Sequence, residues 1–415
     1  RNRNGFTEGD QERLANSAFN TKRTSGFRSG LGFSGPGQSD NSRNPDARDH
    51  YDRSRPKFES QDAPNMQLSA AMHYNARQDK KRKLNSDLDT LQQKNLNNWV
   101  KAILINTAVK PGCSILDLAC GKGGDLPKWN QQEIGHYVGI DIAYGSICDA
   151  LTRYNGNSYR AKCSFPAIWC SGNFVNPRLL DKLEERCPGI FFDVVSCQFA
   201  IHYSWTSERD ALAALANAAS RLRKGGLFIG TTTDANVLIR KLRAAPGLKF
   251  GNSLYNVEFV CGEGETPATF DKSLPGKSPF GIRYRFYLKD AVDDCEECLV
   301  HFPSMRRLAK KVGLQVVEER NLVDFVERCA TQSSKKEQYV DLMQRMKVFD
   351  KHNTISPDQW EVISLYKTFV MKKVEDLSPA IIAKKWQRPS CGHTPTAPRD
   401  ILVLTPDCHP DAQGA

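Results

Sequence analysis

The run Asp117-Leu118-Ala119-Cys120-Gly121-Lys122-Gly123-Gly124-Asp125 is the segment of this chain best suited to binding chemistry. It follows a short apolar stretch, and the missing side chains of such a turn let a ligand come close to the backbone amides. About twenty residues later, Val138-Gly139-Ile140-Asp141 ends a second apolar stretch on a carboxylate. An acid there accepts two hydrogen bonds from the vicinal hydroxyls of a ribose. The dinucleotide fingerprint requires a third glycine where Leu126 stands, which disfavours a dehydrogenase. Nor does a Gly-Lys-Ser/Thr close the segment as an NTPase phosphate loop requires. A glycine turn with a ribose acid and no third glycine points to S-adenosylmethionine. A third run, Ser196-Cys197-Gln198-Phe199-Ala200-Ile201-His202-Tyr203-Ser204-Trp205, offers rings to stack on a base and polar groups to read its edge. Ordinary core packing also accounts for Phe199, Ile201 and Trp205, and is the better reading of Ile201. His202 and Tyr203 are the functional candidates.

These runs need a scaffold, and the hydrophobic pattern supplies one. Apolar residues recur at helical spacing through Leu91, Leu96, Trp99, Val100, Ile103 and Leu104 until Pro111-Gly112. Strands are then predicted at 114–118, 136–142, 191–197 and 226–231, with helices at 147–154, 179–185 and 211–222 between them. Strands that are apolar almost throughout, alternating with helices, imply a parallel sheet covered on both faces, a doubly wound α/β domain. Beyond about residue 248 the pattern loosens. A Gly-, Pro- and Thr-rich stretch covers 262–278, and 283–287 alternates like a half-exposed strand. A helix near 305–312, a strand near 314–319 and an apolar run at 365–371 follow. This half reads as an insertion plus the closing antiparallel strands of the same sheet.

Residues 1–64 carry almost no aliphatic side chains, so they cannot bury enough surface to offset the entropy of ordering, and a disordered tail is expected. Residues 65–94 read as a basic linker and the start of the first helix, 95–386 as the catalytic domain, and 387–415 as a poorly ordered, Pro- and Thr-rich end. The run Lys80-Lys81-Arg82-Lys83 reads better as a solvated helix start than as a nuclear-localisation or RNA-contacting patch. The first residue is Arg rather than Met, so an N-terminal piece is expected to be missing. With 40% hydrophobic residues and no apolar run near the roughly 18 residues of a membrane span, a soluble protein is expected. Thirteen cysteines are scattered, several in apolar segments, which fits a reducing compartment better than a disulfide framework. Cys295 and Cys298 are half of a zinc pattern with no second pair at suitable spacing, so they read as structural. The net charge of +11 suits a polyanionic partner or a generically basic protein. Of it, +5 lies before residue 95 and +6 after.

Taken together, Asn97-Asn98-Trp99-Val100-Lys101, the 117–125 turn, Gly139-Ile140-Asp141 and Gln198-Phe199-Ala200-Ile201-His202-Tyr203 resemble the eukaryotic, fungal-like mRNA cap guanine-N7 methyltransferases. The likeness extends from His73-Tyr74-Asn75 to Lys373, with Tyr284-Arg285-Phe286 and Leu365-Tyr366 in the expected order. The turn alone identifies only a methyltransferase, whereas the ordered set is specific.

The resemblance implies a mostly parallel seven-stranded sheet of the class I methyltransferases and S-adenosylmethionine as methyl donor to N7 of the 5′ terminal guanosine. It implies that Lys101 pairs with the methionine carboxylate, that the Ala119 backbone lines the cofactor turn, and that Asp141 holds the ribose. Asn173 stands where the family has a carboxylate near the adenine, and its amide oxygen is expected to face the adenine amino group. The family usually has glycine at Ala119; alanine fits provided its φ is negative. Gln198 and Tyr203 are expected to close over the cofactor and methyl path. Asn97, Asn98, Phe199, His202, Glu297 and Tyr366 are expected around the guanosine, and Lys122, Lys128 and Arg153 toward the phosphates. Glu297 suits the guanine N1 and N2 donors, although in its acidic run it also reads as a solvated surface acid. Phe199, His202 and Tyr203 would align the reactants, with no residue acting as acid or base and no metal. Capped RNA, a capping enzyme or the RNA polymerase II tail are the implied partners, and a nuclear monomer is expected. A methyltransferase of another RNA or small molecule, or a non-catalytic RNA-binding module, is the alternative.

Overall fold

The computed structural model describes residues 66–76, 89–156, 162–274, 277–376, 384, 392–393 and 396–405. The expected disordered tail at 1–64 and the basic run at 80–83 lie outside them. Among the described residues the strands are β1 (Ser114–Leu118), β2 (His136–Asp141), β3 (Ala167–Ser171), β4 (Phe192–Gln198), β5 (Leu222–Thr233), β6 (Lys249–Gly251), β7 (Tyr255–Phe259), β8 (Arg283–Leu288), β9 (Val292–Cys298), β10 (Leu314–Asn321), β11 (Tyr366–Lys373) and β12 (Leu402–Val403).

Eight of them form one sheet in the order β10-β11-β5-β4-β1-β2-β3-β12. The pairs from β5 to β12 are parallel, while β10 and β11 close the other edge antiparallel. Every residue of β1 and β2 is buried, as their mostly apolar texture requires of strands covered on both faces. Successive side chains serve opposite cores. Ile115, Tyr137, Trp169, Val194 and Ile229 pack with the helices Leu91–Ala108, Tyr144–Asn155 and Ala235–Ala244. Leu116, Val138, Cys170, Val195 and Phe228 pack with Leu179–Arg186, Glu208–Ser220 and Phe302–Lys311. This is the doubly wound α/β arrangement. Because β1 lies between β2 and β4, the chain reverses its direction of growth there, and the crevice at the carboxyl ends of β1 and β4 is the place for a ligand.

The insertion forms a sheet of its own, antiparallel in the order β6-β7-β8-β9. Its strands β7 and β8 turn Tyr255, Val257, Phe259, Tyr284, Phe286 and Leu288 into the first core, which brings the insertion against the main sheet.

The far end of the chain departs from the sequence reading. The 387–415 stretch, expected to be poorly ordered, supplies β12, which adds an eighth strand beside β3 with Leu402 opposite Cys170 and Val403 opposite Ser171. Ile401 and Leu404 are buried. Each such side chain contributes on the order of 1.5–3 kcal/mol when fully removed from water. Two apolar pegs and a two-residue strand are too short to raise the average of a Pro- and Thr-rich segment. Every cysteine among the described residues is a free thiol. No described helix is long and apolar enough to cross a membrane.

Candidate functional site

The cofactor turn begins where β1 ends. Ala119, Gly121 and Gly123 all have positive φ, at 56°, 53° and 68°. The condition set for Ala119, a negative φ, is therefore not met: alanine takes the left-handed conformation that glycine adopts freely, at a cost of about 1–2 kcal/mol. Gly123 has no latitude, since a Cβ there would lie 2.6 Å from Leu126 Cδ1 and 3.2 Å from Ala150 Cα. The turn is tied to β2 by Asp141, the acid expected to hold a ribose. Asp141 Oδ2 accepts from the Gly121 amide at 2.7 Å, and Oδ1 accepts from the Ala143 amide at 2.8 Å. Burial raises the Asp141 carboxyl to about 6, against these backbone donors. Each oxygen keeps a lone pair for a hydroxyl.

Beside the turn, Asp125 gathers two cations. Lys101 Nζ lies 2.9 Å from Asp125 Oδ1 and Lys128 Nζ 2.6 Å from the same oxygen, and Lys128 also donates to Asn98 Oδ1 at 3.1 Å. Burial alone would raise the Asp125 carboxyl, but the two ammonium groups outweigh it and hold the group well below the carboxylate range. The helix Leu91–Ala108 sets this up, since Asn97, Asn98 and Lys101 at spacings of three and four share one face. Beneath lies Asp117, whose Oδ2 accepts from the Tyr137 hydroxyl at 3.0 Å and from Trp129 Nε1 at 3.4 Å. Burial, and then the charge of Asp125, push it up to about 7.

A second cluster is assembled across the two sheets. In the β8–β9 register Tyr284 stands opposite Glu297, and its hydroxyl donates to Glu297 Oε2 at 2.7 Å. The same hydroxyl lies 2.8 Å from Thr233 Oγ1 at the end of β5. Glu297 is 3% exposed, which removes the reading of it as a solvated acid, while Asp293 and Asp294 of the same run are exposed. Burial raises its carboxyl to about 7 and lowers the His202 imidazole to about 3. His202 Nε2 stands 3.5 Å from Glu297 Oε1, and neither ring nitrogen makes a hydrogen bond. Asn97 Oδ1 and Thr232 Oγ1 are also buried without a hydrogen-bond partner. Polar atoms left in this condition are costly unless a ligand completes them.

Between the clusters lie the ends of β4, β5 and β11. Phe199, at φ 56°, donates its amide to Thr231 Oγ1 and meets the Tyr366 ring edge-on at 5.1 Å. Tyr366 meets Phe286 the same way at 6.3 Å. Gln198 Nε2 donates to Ser196 Oγ, and its Oε1 accepts from Thr231 Oγ1. Tyr203 packs on His202, and its hydroxyl lies 3.6 Å from the Cys295 thiol. Gln67 Nε2, from the helix Met66–Ala76, donates to the Tyr203 carbonyl at 2.8 Å.

The remaining expected residues are less directly placed. Lys122 pairs with Asp149 at 2.8 Å, and Arg153 sits half-buried in the last turn of the helix Tyr144–Asn155. Asn173 already spends one lone pair of its amide oxygen on the Val175 amide at 3.1 Å, so a single acceptor position is left for an adenine. Sequence reasoning missed Asp125, Asp117, Thr233 and Tyr284 as site residues. The first two stood inside the quoted turn, and the alternation of β8 marks Tyr284 as inward-facing. Nothing local marked Thr233.

The donor set fits S-adenosylmethionine. The turn admits close backbone approach, Asp141 has acceptors for a ribose, and Lys101 stands with Lys128 as a cation beside buried acids. Among the described residues no group of three His, Cys, Asp or Glu is placed to hold a metal.

Residues 57–374 match the family model described as mRNA (guanine-N(7))-methyltransferase domain. The chain is 44% identical over 310 residues to "mRNA cap guanine-N(7) methyltransferase 1" of Oryza sativa subsp. japonica, covering 73% of this chain and 80% of that protein. It is 44% identical over 324 residues to the protein of the same name in Arabidopsis thaliana, covering 76% and 84%. Against "mRNA cap guanine-N(7) methyltransferase" of Schizosaccharomyces pombe it is 34% identical over 319 residues, covering 74% and 83%.

Proposed function

Since the chain belongs to the mRNA cap guanine-N7 methyltransferase family, we propose that this site methylates N7 of the 5′ terminal guanosine of capped RNA, with the residues above in the following roles. S-adenosylmethionine, when bound, supplies an electrophilic methyl group on sulfur. Lys101 pairs with its methionine carboxylate, the Ala119 to Gly123 backbone lines it, Asp141 accepts from the ribose hydroxyls, and Asn173 faces the adenine. Gln198 and Tyr203 border the methyl path.

On the cap side, Glu297 accepts from guanine N1 and N2, held by the Tyr284 hydroxyl. His202 and Asn97 complete hydrogen bonds to the base and ribose, and Phe199 and Tyr366 flank the ring. Asn98 stands on the guanosine side, bonded to Lys128, and Lys122, Lys128 and Arg153 serve the phosphates. Guanine N7 carries a lone pair outside the aromatic sextet and is unprotonated at neutral pH, so it attacks without a base. His202, pushed down to about 3, is neutral at pH 7 and acts as a hydrogen-bonding group rather than a proton carrier. Catalysis comes from alignment of the reacting atoms in a preorganised polar site.

The observation that carries this reading is the buried group of Glu297, Tyr284 and His202, with ring nitrogens lacking partners, beside a complete cofactor turn. The enzyme works in nuclear mRNA processing as a monomer, alongside a capping enzyme or the RNA polymerase II tail. Methyl transfer to 5′-GpppN-ended RNA, with product position determined, tests the activity. Transfer to uncapped RNA, or to another atom, would refute it.

A further inference from the structure

The last described stretch, 396–405, lies beyond the 57–374 that match the family, yet its bonds lead to the cofactor site. Leu404 donates its amide to the Ser171 carbonyl at 2.8 Å, extending the β3–β12 pairing by one bond. The next residue, Thr405, is 0% exposed, and its Oγ1 accepts from the Asn173 amide at 3.0 Å. Between them, the Gly172 amide donates to the Asp141 carbonyl at 2.9 Å. The terminal strand is thus bonded to the loop after β3, which carries Asn173 and is itself bonded to the Asp141 backbone. That loop is held from its other side by Asn217, which donates to the carbonyls of Phe174 and Asn176 at 2.9 and 2.8 Å.

The approach to β12 is anchored as well. Asn155 Nδ2 donates to the Thr396 carbonyl at 2.8 Å, and the Tyr144 hydroxyl donates to the Pro398 carbonyl at 3.3 Å. His393 stacks on Tyr154 at 4.5 Å. All three partners stand on the helix Tyr144–Asn155, which follows Asp141. Removing this segment would leave β3 as an open edge and the 172–176 loop held on one side only.

We infer that the C-terminal segment is a positioning element of the S-adenosylmethionine site, with Thr405 fixing the backbone of Asn173 and thereby the adenine end. The inference rests on the reading of Asn173 as the adenine-facing residue. Its sign is specific. Losing the segment weakens the cofactor and leaves the cap alone, because the Glu297 cluster belongs to β5, β8, β9 and the Ile201–Ser204 turn, none of which touches β12 in the sheet order.

Four proteins test it: the full chain, a chain ending at residue 395, Thr405→Val and Asn173→Ala. Each is titrated calorimetrically with S-adenosylhomocysteine and assayed on GpppA-ended RNA. The shortened chain is expected to bind S-adenosylhomocysteine about tenfold more weakly and to show a similar rise in KM for S-adenosylmethionine, with kcat and the cap KM within about twofold. Thr405→Val keeps the volume and removes one acceptor, so about a three- to fivefold weakening is expected. If truncation unfolds the protein, Thr405→Val decides alone. Unchanged affinity in Thr405→Val and the shortened chain, while Asn173→Ala weakens binding, overturns the inference. Unchanged affinity in Asn173→Ala with weakening in the shortened chain overturns the adenine reading alone. It then leaves the segment acting through Gly172 and Asp141.

Discussion

The two ends of the site handle a buried carboxylate in opposite ways. At the cofactor end, Asp125 sits between Lys101 and Lys128 and is held ionised, well below the usual carboxylate range. At the cap end, Glu297 has a tyrosine hydroxyl and a neutral imidazole for neighbours, and burial pushes it up to about 7. The first cluster is complete within the protein. Lys101 is held in place by Asp125, and in the proposed reading a methionine carboxylate shares it. The second cluster is incomplete, with ring nitrogens and an amide oxygen unsatisfied. In the proposed reading its polar groups meet a base that presents donors and acceptors together, which would concentrate selectivity for guanine there.

The largest effect should come from Glu297→Gln. Two charge-assisted acceptors are lost, so kcat/KM for capped RNA should fall on the order of a hundredfold or more, while affinity for S-adenosylhomocysteine stays within a few fold. A parallel loss of both affinities would mean the two ends are not separable. The same variant should be more stable than the parent at alkaline pH. The folded pKa of Glu297 lies above its unfolded value, so its favourable contribution is complete below about 4.5 and is lost as pH rises through about 7. Gln cannot ionise, so the stability gain, on the order of 1–3 kcal/mol, should appear in denaturant midpoints at pH 8 and shrink at pH 5.

Asp125→Asn should show the reverse. Here the folded pKa is depressed, so the stabilisation is present above the ordinary carboxylate value and disappears as pH falls through the lower folded one. The variant leaves two partly buried ammonium groups without their acid and should lose about 2–4 kcal/mol at pH 7, a deficit that shrinks steadily as pH falls below about 3.8. Matching pH profiles for the two variants would collapse the contrast between the clusters.

Ala119→Gly is a smaller perturbation of the cofactor end. Relieving an alanine at φ 56° should raise stability by about 1 kcal/mol, measured as a higher midpoint, with kcat unchanged. The smallest effect is expected of pH on the maximal rate. With cap and cofactor saturating, kcat should show no step between about pH 6 and 9 that His202→Asn removes, because the imidazole titrates near 3. A step that the substitution abolishes would make His202 a proton carrier.

Much of the cofactor end was legible because its parts are neighbours in sequence. β1 begins and ends at the expected residues, and the turn needs only the glycines that follow it. Lys101 was named through resemblance, but its partner Asp125 is a tertiary fact, set by where the helix Leu91–Ala108 crosses the turn. β3 escaped notice because five residues between Pro166 and Gly172 carry too little pattern, and β12 because two residues carry none. Asn173 was named with an oxygen directed at adenine, whereas half of that oxygen's capacity closes a turn onto Val175.

The sequence alone determined the doubly wound core, the crevice at the carboxyl ends of the parallel strands and the acid that follows the second one. Strand burial and turn chemistry are written in adjacent residues, so they can be read locally. Only the tertiary structure decided the ionisation of the site. Glu297 is chemically indistinguishable from Glu296 in the chain, and what separates them is a cross-strand register that sets one opposite Tyr284 and the other opposite Arg285. Burial and polar partners shift a carboxyl by several orders of magnitude in proton affinity, and those partners come from other elements, 13 residues away for Tyr284 with Glu297 and 24 for Lys101 with Asp125.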